Sequence, residues 1–211
     1  MRYLLVIVLG VGSIGCASNP SVTEHQCRAG DWQTIGYRDG VAGVDKSRLL
    51  AHQEACGEFS IVPDRDAYLM GWNEGIPLFC THANGYSAGE RGATRNLVCD
   101  REASEGFGAG YEQGREIFIA LSQVNAIRNQ IAAGEGRLLV IEDEMLAVTS
   151  AQLEPSLTAQ DRVALLADLK RLADEKARLQ SELPYLVADL DEAQNKLERL
   201  RESHTLAYND A

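Results

Sequence analysis

Three histidines of this chain lie close to cysteines, and such residues could together bind a metal ion. The neighbouring pairs are His25 with Cys27, His52 with Cys56, and Cys80 with His82. The i, i+4 spacing of His52 and Cys56 would place both side chains on one face of a helix, where they could bind zinc. The alternative is that the cysteines form disulfides, and the cellular location of the chain decides between the two.

The first sixteen residues indicate export. Arg2 precedes the uncharged apolar run YLLVIVLGVGSIG at 3–15, which is typical of a signal peptide and shorter than the roughly 20 residues of a transmembrane helix. The run leads into SIGC, which resembles the lipobox of bacterial lipoproteins. We therefore expect residues 1–15 to be a signal peptide and Cys16 to carry lipid chains such as palmitate. Ala17 favours the outer membrane, because an aspartate there would indicate retention in the inner membrane. An ordinary signal peptide, with Cys16 incidental, is the alternative.

Export also explains the number of cysteines. Of the five cysteines, lipidation of Cys16 leaves four, namely Cys27, Cys56, Cys80 and Cys99. An even number in an oxidising compartment indicates two disulfides. Three connectivities exist, and we favour Cys27–Cys56 with Cys80–Cys99 because each closes a short local loop. We accordingly predict no metal site and no cofactor.

The charge of the chain limits its partners. It has 31 acidic and 20 basic side chains, so its net charge is −11. Nucleic acid is not an expected partner, because binding it requires cations that displace counterions from the phosphates. Direct electrostatic binding to an anionic membrane surface is disfavoured for the same reason. The expected contact with a membrane is therefore the lipid anchor alone.

Residues 16–30 are polar and are interpreted as a tether, followed by a helical head at 31–118. Asp31, Ser47 and Asp64 are residue types that cap helix N-termini, and they predict three successive helices. A further short helix is expected within 81–99. Because no segment alternates between apolar and polar residues as strands do, the head is predicted to be all-α.

Four units of the form G-[Y/W]-x-x-G distinguish the head. They begin at Gly36, Gly71, Gly85 and Gly110, with irregular spacings that exclude a solenoid repeat. We interpret the glycines as helix faces that let two backbones approach closely. The alternative is a glycan-binding surface, in which the aromatic residues that follow these glycines stack on sugar rings. Those aromatic residues are Tyr37, Trp72, Tyr86 and Tyr111.

After Phe118 the composition changes to leucine, alanine and charged residues. Two series of residues recur at intervals of 3 or 4, as the a and d positions of a coiled coil do. The first is Val124, Ile127, Ile131, Gly134, Leu138, Ile141, Met145 and Val148. The second is Leu165, Leu169, Leu172, Lys176, Leu179, Leu183, Leu186, Leu190, Ala193, Leu197 and Leu200.

The connection between the two series is short. Pro155 should end the first helix, and Thr158 with Asp161 resembles a capping box that starts the second. Residues 119–208 are therefore predicted to form a long antiparallel coiled-coil hairpin. We expect the first helix to continue through the two glycines at 134–136, and Pro184 to kink the second.

The chain has no recognisable catalytic motif. It contains no GxSxG, HExxH, P-loop or Rossmann fingerprint, and no pair of carboxylates stands out as an acid and base. We assign no catalytic residue and expect that the protein is not an enzyme.

Several linked motifs of the head resemble those of a known family. They are DWQTIGYRDG at 31–40, AC at 55–56, PDRDAYLMGWNEG at 63–75, FCTHANGYSAGERG at 79–92, VC at 98–99 and FGAGYEQGR at 107–115. In these the chain resembles the bacterial lipoprotein family known as domain of unknown function 2799, over roughly residues 24–118. The resemblance implies an exported, lipid-anchored protein with four paired cysteines, and it implies no particular activity.

These observations give one expectation and one alternative for function. We expect a periplasm-facing lipoprotein of the bacterial outer membrane with a structural or adaptor role, in which the hairpin or its tip docks another envelope protein. The alternative is a protein that binds glycan or peptidoglycan through the aromatic residues of the head.

Overall fold

The computed structural model describes residues 20–99 and 101–209, and these contain helices but no strands. The signal peptide at 1–15, Cys16 and the start of the tether lie outside the described residues. The chain divides into two compact units, one ending at Phe79 and one beginning at Cys80. The first unit contains α1 (Glu24–Ala29), α2 (Trp32–Val41), α3 (Arg48–Gly57) and α4 (Arg65–Phe79), and the second contains α5 (His82–Glu90), α6 (Arg101–Ala151) and α7 (Ala159–Asn209).

The expected all-α fold is confirmed, whereas the expected boundary after residue 118 differs from the structure. Residue 118 lies inside the continuous helix α6, so the head at 31–118 does not end where a helix ends. The division at Phe79 instead places one glycine-faced helix pair in each unit.

Capping explains most of the helix starts. Asp31 accepts a hydrogen bond from the backbone N–H of Thr34, and Asp64 accepts bonds from the first turn of α4. Ser47 precedes α3 as expected, but its side chain makes no capping bond. The predicted box at Thr158 and Asp161 is present in both directions.

In the first unit α2 packs against α4 through glycines. A Cβ atom added at Gly36 would overlap the carbonyl oxygen of Tyr68, and one added at Gly71 would overlap that of Gln33. Gly40 and Gly75, one turn further along, meet backbone in the same way. Because the contacts advance in the same direction along both helices, α2 and α4 run parallel. Glycine is required here because the backbone of one helix occupies the Cβ position of the other.

The second unit repeats this arrangement with α5 and α6. Gly85 and Gly89 on α5 meet the backbone of α6, and Gly110 and Gly114 on α6 meet the backbone of α5. The four glycine units of the sequence are therefore two pairs, the first with the second and the third with the fourth. The predicted close approach of helix backbones is present in both pairs.

The match between the two pairs extends beyond the glycines. Gly43 follows α2 at a φ of 67° and lies against the ring of Phe79, and Gly92 follows α5 at 69° against the ring of Phe118. Trp72 donates its indole N–H to the carbonyl of Val44 at 2.8 Å. At the corresponding place Tyr111 donates its hydroxyl to the carbonyl of Ala93, also at 2.8 Å. The chain thus contains an internal duplication of one parallel helix pair.

Each unit has one disulfide. Cys27 on α1 is bonded to Cys56 on α3, with 5.6 Å between the Cα atoms. Cys80 is bonded to Cys99, with 5.7 Å between the Cα atoms. The favoured connectivity is therefore confirmed. Each bond closes a short loop and should contribute on the order of 3 kcal/mol by restricting the unfolded chain.

Helices α6 and α7 form the predicted antiparallel hairpin. Three contacts establish the direction, joining Glu116 to His204, Arg137 to Glu175, and Glu142 to Lys176. Both predicted series face the partner helix, and Ile141 and Leu172 are fully buried between them. At the open end of the hairpin, Ile117, Ala120 and Val124 pack with Ala193 and Leu197.

The two expected weak points leave the helices continuous. Helix α6 runs through Gly134 and Gly136, and α7 runs through Pro184. The side chain of Leu183 would lie 3.1 Å from a Cβ atom at Gly134, so α7 packs closely against the glycine. Helix continuity here depends on the partner helix more than on intrinsic propensity.

The close glycine contacts predict that adding a single methyl group at one of these positions will destabilise the protein. Gly71→Ala should lower the free energy of unfolding by about 1–3 kcal/mol, because its methyl group must displace the backbone of α2. Gly106→Ala is the matched control, since this helical glycine has open space around its Cβ position. The control should stabilise by up to about 1 kcal/mol through helix propensity. Urea unfolding measures both, and equal effects would contradict the close contact.

Candidate functional site

The first unit contains a buried group of polar side chains, which we call the His52 cluster: Ser21, Asp39, His52 and Tyr68. His52 is 1% exposed. Its Nε2 lies 2.9 Å from Oδ2 of Asp39, and its Nδ1 lies 2.8 Å from Oγ of Ser21. The hydroxyl of Tyr68 donates to the same Oδ2 at 2.8 Å. One carboxylate oxygen thus accepts from two neighbours.

The glycine-faced helix pair brings these groups together. Asp39 immediately precedes Gly40 on α2, and Tyr68 is three residues before Gly71 on α4. His52 lies on the buried face of α3 with Leu49 and Cys56, and the disulfide to Cys27 ties this helix to α1. The cluster therefore depends on both the helix contact and the disulfide.

Burial and hydrogen bonding shift the pKa of Asp39 in opposite directions. Burial by itself would raise the pKa of this carboxyl, but the hydrogen bonds from His52 and Tyr68 outweigh it and hold the pKa below its ordinary value. Burial and the bond to Asp39 raise the pKa of the Tyr68 phenol well above its ordinary value. Asp39 is therefore ionised and Tyr68 protonated over the whole neutral range.

The order serine, imidazole, carboxylate is the order in which hydrolases activate a nucleophile. In this cluster both imidazole nitrogens have partners within hydrogen-bond distance, and the ring lies between Trp32 and Tyr68, with centroids 6.4 and 5.7 Å away. The imidazole is enclosed by the protein. We interpret its role as holding the segment at Ser21 against α3, with the buried Val22 beside it.

The cysteines considered for metal binding are all in disulfides. Cys56 is in a disulfide, so the zinc pair with His52 is not available, and His52 points to Asp39 and Ser21 instead. His82 contacts Gln113 through its Nε2, at 3.0 Å. Among the residues that the structure describes, no three or more His, Cys, Asp or Glu side chains come together as a metal site.

The four aromatic residues considered for glycan stacking do not share one surface within their units. Trp72 is 7% exposed, and its N–H is bonded to Val44, so stacking on a sugar at this position is contradicted by its burial. Tyr37 is 40% exposed. Tyr86 packs against the core of the hairpin beside His204, and Tyr111 is bonded to Ala93.

Sequence reasoning missed the His52 cluster. The residue three before the second glycine motif of each pair is aromatic, Tyr68 in the first pair and Phe107 in the second, and both are buried. Aligning the two pairs would have shown that only the first has a phenol there, with Asp39 facing it where the second has Ala88. This difference between the two pairs is the feature of the sequence that could have predicted a buried polar group in the first pair.

These features define a class: an α-helical protein with two parallel glycine-faced helix pairs, one disulfide in each unit, and a long helical hairpin. Residues 31–116 match the model of the family described as "Protein of unknown function (DUF2799)", which confirms the resemblance over this segment. The match begins at the cap of α2 and ends beside the second pair, so it covers both glycine pairs. No curated protein and no solved structure matches the chain significantly.

None of the helices within 20–99 and 101–209 has an apolar stretch sufficient to cross a membrane.

The His52 cluster predicts a pH-dependent stability. Because the folded pKa of Asp39 is depressed, its contribution is complete above the unfolded pKa and is lost as the pH falls through the folded value. Tyr68→Phe should cost about 1–2 kcal/mol at neutral pH by removing a bond to this carboxylate. The cost should shrink as the pH falls through the depressed pKa of Asp39, because the protonated carboxyl no longer gains from this bond.

Tyr111→Phe is the control, because it removes a phenol bonded to a carbonyl rather than to a carboxylate. Its cost should be constant between about pH 3 and pH 7. Urea unfolding of the wild type and both variants across this range measures the difference. Parallel pH profiles for the two variants would contradict the assigned role of Asp39.

Proposed function

We propose that this protein is a lipid-anchored component of the bacterial outer membrane that faces the periplasm and has a structural or adaptor role without catalysis. The apolar run at 3–15 and the SIGC motif ending at Cys16 support export and lipidation. Two intramolecular disulfides support an oxidising compartment. The observation that carries the adaptor role is the hairpin of α6 and α7.

The hairpin is long for a packing element. Each of its helices has 51 residues, which corresponds to about 75 Å at 1.5 Å per residue. Only the first part of α6 packs with α5, through the glycines at 110 and 114. The rest of the hairpin has exposed sides along its length, and such a surface suits an adaptor that binds another protein.

One groove on the hairpin has the composition of a binding site. It has a volume of about 610 Å³ and opens beside Gly134, where α6 has no side chain at a seam position. Leu179, Leu183 and Leu186 form part of its lining, and Tyr185 at its edge is 74% exposed. Arg137 and Glu182 also line it. An exposed tyrosine beside an apolar groove and an arginine is a typical arrangement of an interface hot spot.

The lipid anchor is tested by Cys16→Ser. This variant should lose labelling by radioactive palmitate and move from the membrane fraction to the soluble periplasmic fraction. Ser13→Ala is the control, because it changes the same motif and keeps the acceptor thiol. Palmitate labelling that persists in Cys16→Ser would exclude this lipidation site.

The partner is sought by photo-crosslinking in intact cells. A photoreactive amino acid at Tyr185 should yield one discrete crosslinked envelope protein, because the side chain lies at the groove. The same amino acid at Ala188, one turn along α7 and exposed away from the groove, is the matched control. Equal products at both positions, or none at Tyr185, would contradict docking at the groove.

A further inference from the structure

The two disulfides of this chain lie in different surroundings. Cys27 and Cys56 belong to helices and are 1% and 0% exposed. Cys80 is 9% exposed, Cys99 is partly exposed, and neither of them lies within a helix. A thiolate breaks a disulfide by direct attack on one of its sulfur atoms, so access to the bond controls its reduction in the folded protein.

The first disulfide is enclosed by the packed helices of its unit. Cys56 lies on the buried face of α3 together with Leu49 and His52. A reductant can reach this bond only if α3 separates from the unit, and that separation would also break the hydrogen bonds of His52. The bond between Cys27 and Cys56 should therefore open only on local unfolding.

The second disulfide ends a segment that has little structure of its own. Residues 93–99, which we call the strap, contain no helix or strand, and none of these seven residues is buried. Leu97 in the middle of the strap is 82% exposed. Segments with few buried contacts open at a low cost in free energy. The bond at Cys99 is thus accessible from a part of the chain that moves easily.

The strap lies on the first turns of α6 and is joined to them by exposed polar contacts. Tyr111 donates its hydroxyl to the carbonyl of Ala93 at 2.8 Å. The guanidinium of Arg95 lies beside Gly108, where it occupies the place that a Cβ atom would take. Exposed polar contacts of this kind contribute little to stability. The covalent bond at Cys99 is therefore the strongest attachment of the strap.

Helix α5, in contrast, is held without help from the disulfide. Gly85 and Gly89 contact the backbone of α6 directly. The Nε2 atom of His82 lies 3.0 Å from Oε1 of Gln113, which joins the start of α5 to α6. Because these contacts lie along the helix pair itself, α5 should stay on α6 when the bond between Cys80 and Cys99 is open.

We propose that Cys80 and Cys99 form a redox-exchange site, at which a dithiol reductant opens the disulfide in the folded protein and releases the strap from α6. A thiolate of the reductant attacks the sulfur of Cys99, the more exposed of the two, and displaces Cys80 as a thiolate that then takes up a proton. The second thiolate of the reductant attacks the mixed disulfide and displaces Cys99, which is protonated in turn. Two electrons thus pass from the dithiol, which becomes a disulfide, to the pair of cysteines.

This chemistry needs neither the lipid anchor nor the adaptor role, so it is tested on the purified full chain with Cys16→Ser, in which the four bonded cysteines are the only ones. The folded chain is treated with dithiothreitol, without denaturant, and alkylated at intervals. Peptide mass spectrometry then measures the alkylation of each cysteine.

Cys80 and Cys99 should be alkylated at least about tenfold faster than Cys27 and Cys56, because opening the buried bond requires local unfolding. The bond between Cys27 and Cys56 is the matched control within the same molecule. Equal rates for the two bonds, or faster opening of the first, would overturn the proposal.

Hydrogen exchange tests the release of the strap. Once only the second bond is open, the amides of residues 93–99 should exchange at least about tenfold faster, while those of α5 at 82–90 keep their protection. The double variant Cys80→Ser with Cys99→Ser should show the same pattern without any reductant. Unchanged exchange in the strap would contradict its release, and loss of protection throughout α5 would show that the bond holds the helix pair instead.

The source of the dithiol is identified by repeating the reduction with thioredoxin, kept reduced by its reductase, in place of dithiothreitol. Selective opening of the second bond by thioredoxin would assign a protein reductant, and selective opening by dithiothreitol alone would assign a small dithiol. A chain in which neither reagent opens this bond before the first one has no redox-exchange site.

Discussion

Direct contact between the backbones of parallel helices is the constraint on which the rest of this structure depends. At each of four glycine motifs, a carbonyl oxygen of the neighbouring helix occupies the place of a Cβ atom. Contacts this short allow glycine Cα–H groups to face carbonyl oxygens, a weak but recurrent attraction at helix interfaces. Each glycine in a helix costs about 1 kcal/mol in propensity, so the helix contact must offset that cost. Side chains beside the glycines are then held at fixed positions, which allows Trp72 and Tyr111 to reach equivalent carbonyls.

The two helix pairs share the same backbone arrangement but differ in the side chains buried beside the glycine contacts. In the second pair the aromatic residue under the contact is Phe107, an apolar filling that needs no partner for a hydroxyl. In the first pair it is Tyr68, and its phenol requires an acceptor because burying an unpaired hydroxyl is unfavourable. Asp39 supplies the acceptor, and His52 then satisfies the carboxylate. Each polar group in the cluster therefore provides a hydrogen-bond partner for a neighbouring group, and this offsets the cost of burying both.

The hairpin solves a different problem, because two helices of 51 residues cannot bury all of their apolar surface against each other. The seam is closed by leucines, and the ion pair between Arg137 and Glu175 joins the helices on one side. The other side retains exposed leucines near the tip. A chain with a net charge of −11 keeps such surface soluble through its remaining acidic residues, while leaving specific apolar contacts available.

Local patterns in the sequence were sufficient for the helical class, the antiparallel hairpin and its two seam series, since heptad spacing, caps and Pro155 act over a few residues. The disulfide connectivity also followed from local loops, with Cys80 and Cys99 only 19 residues apart. The pairing of the glycine motifs, their parallel direction and the division at Phe79 were decided by tertiary structure, because a glycine face does not specify which other face it meets. The same holds for the His52 cluster. Ser21, Asp39, His52 and Tyr68 come from four separate segments, and no spacing in the sequence records a hydrogen bond that only the packed helices create.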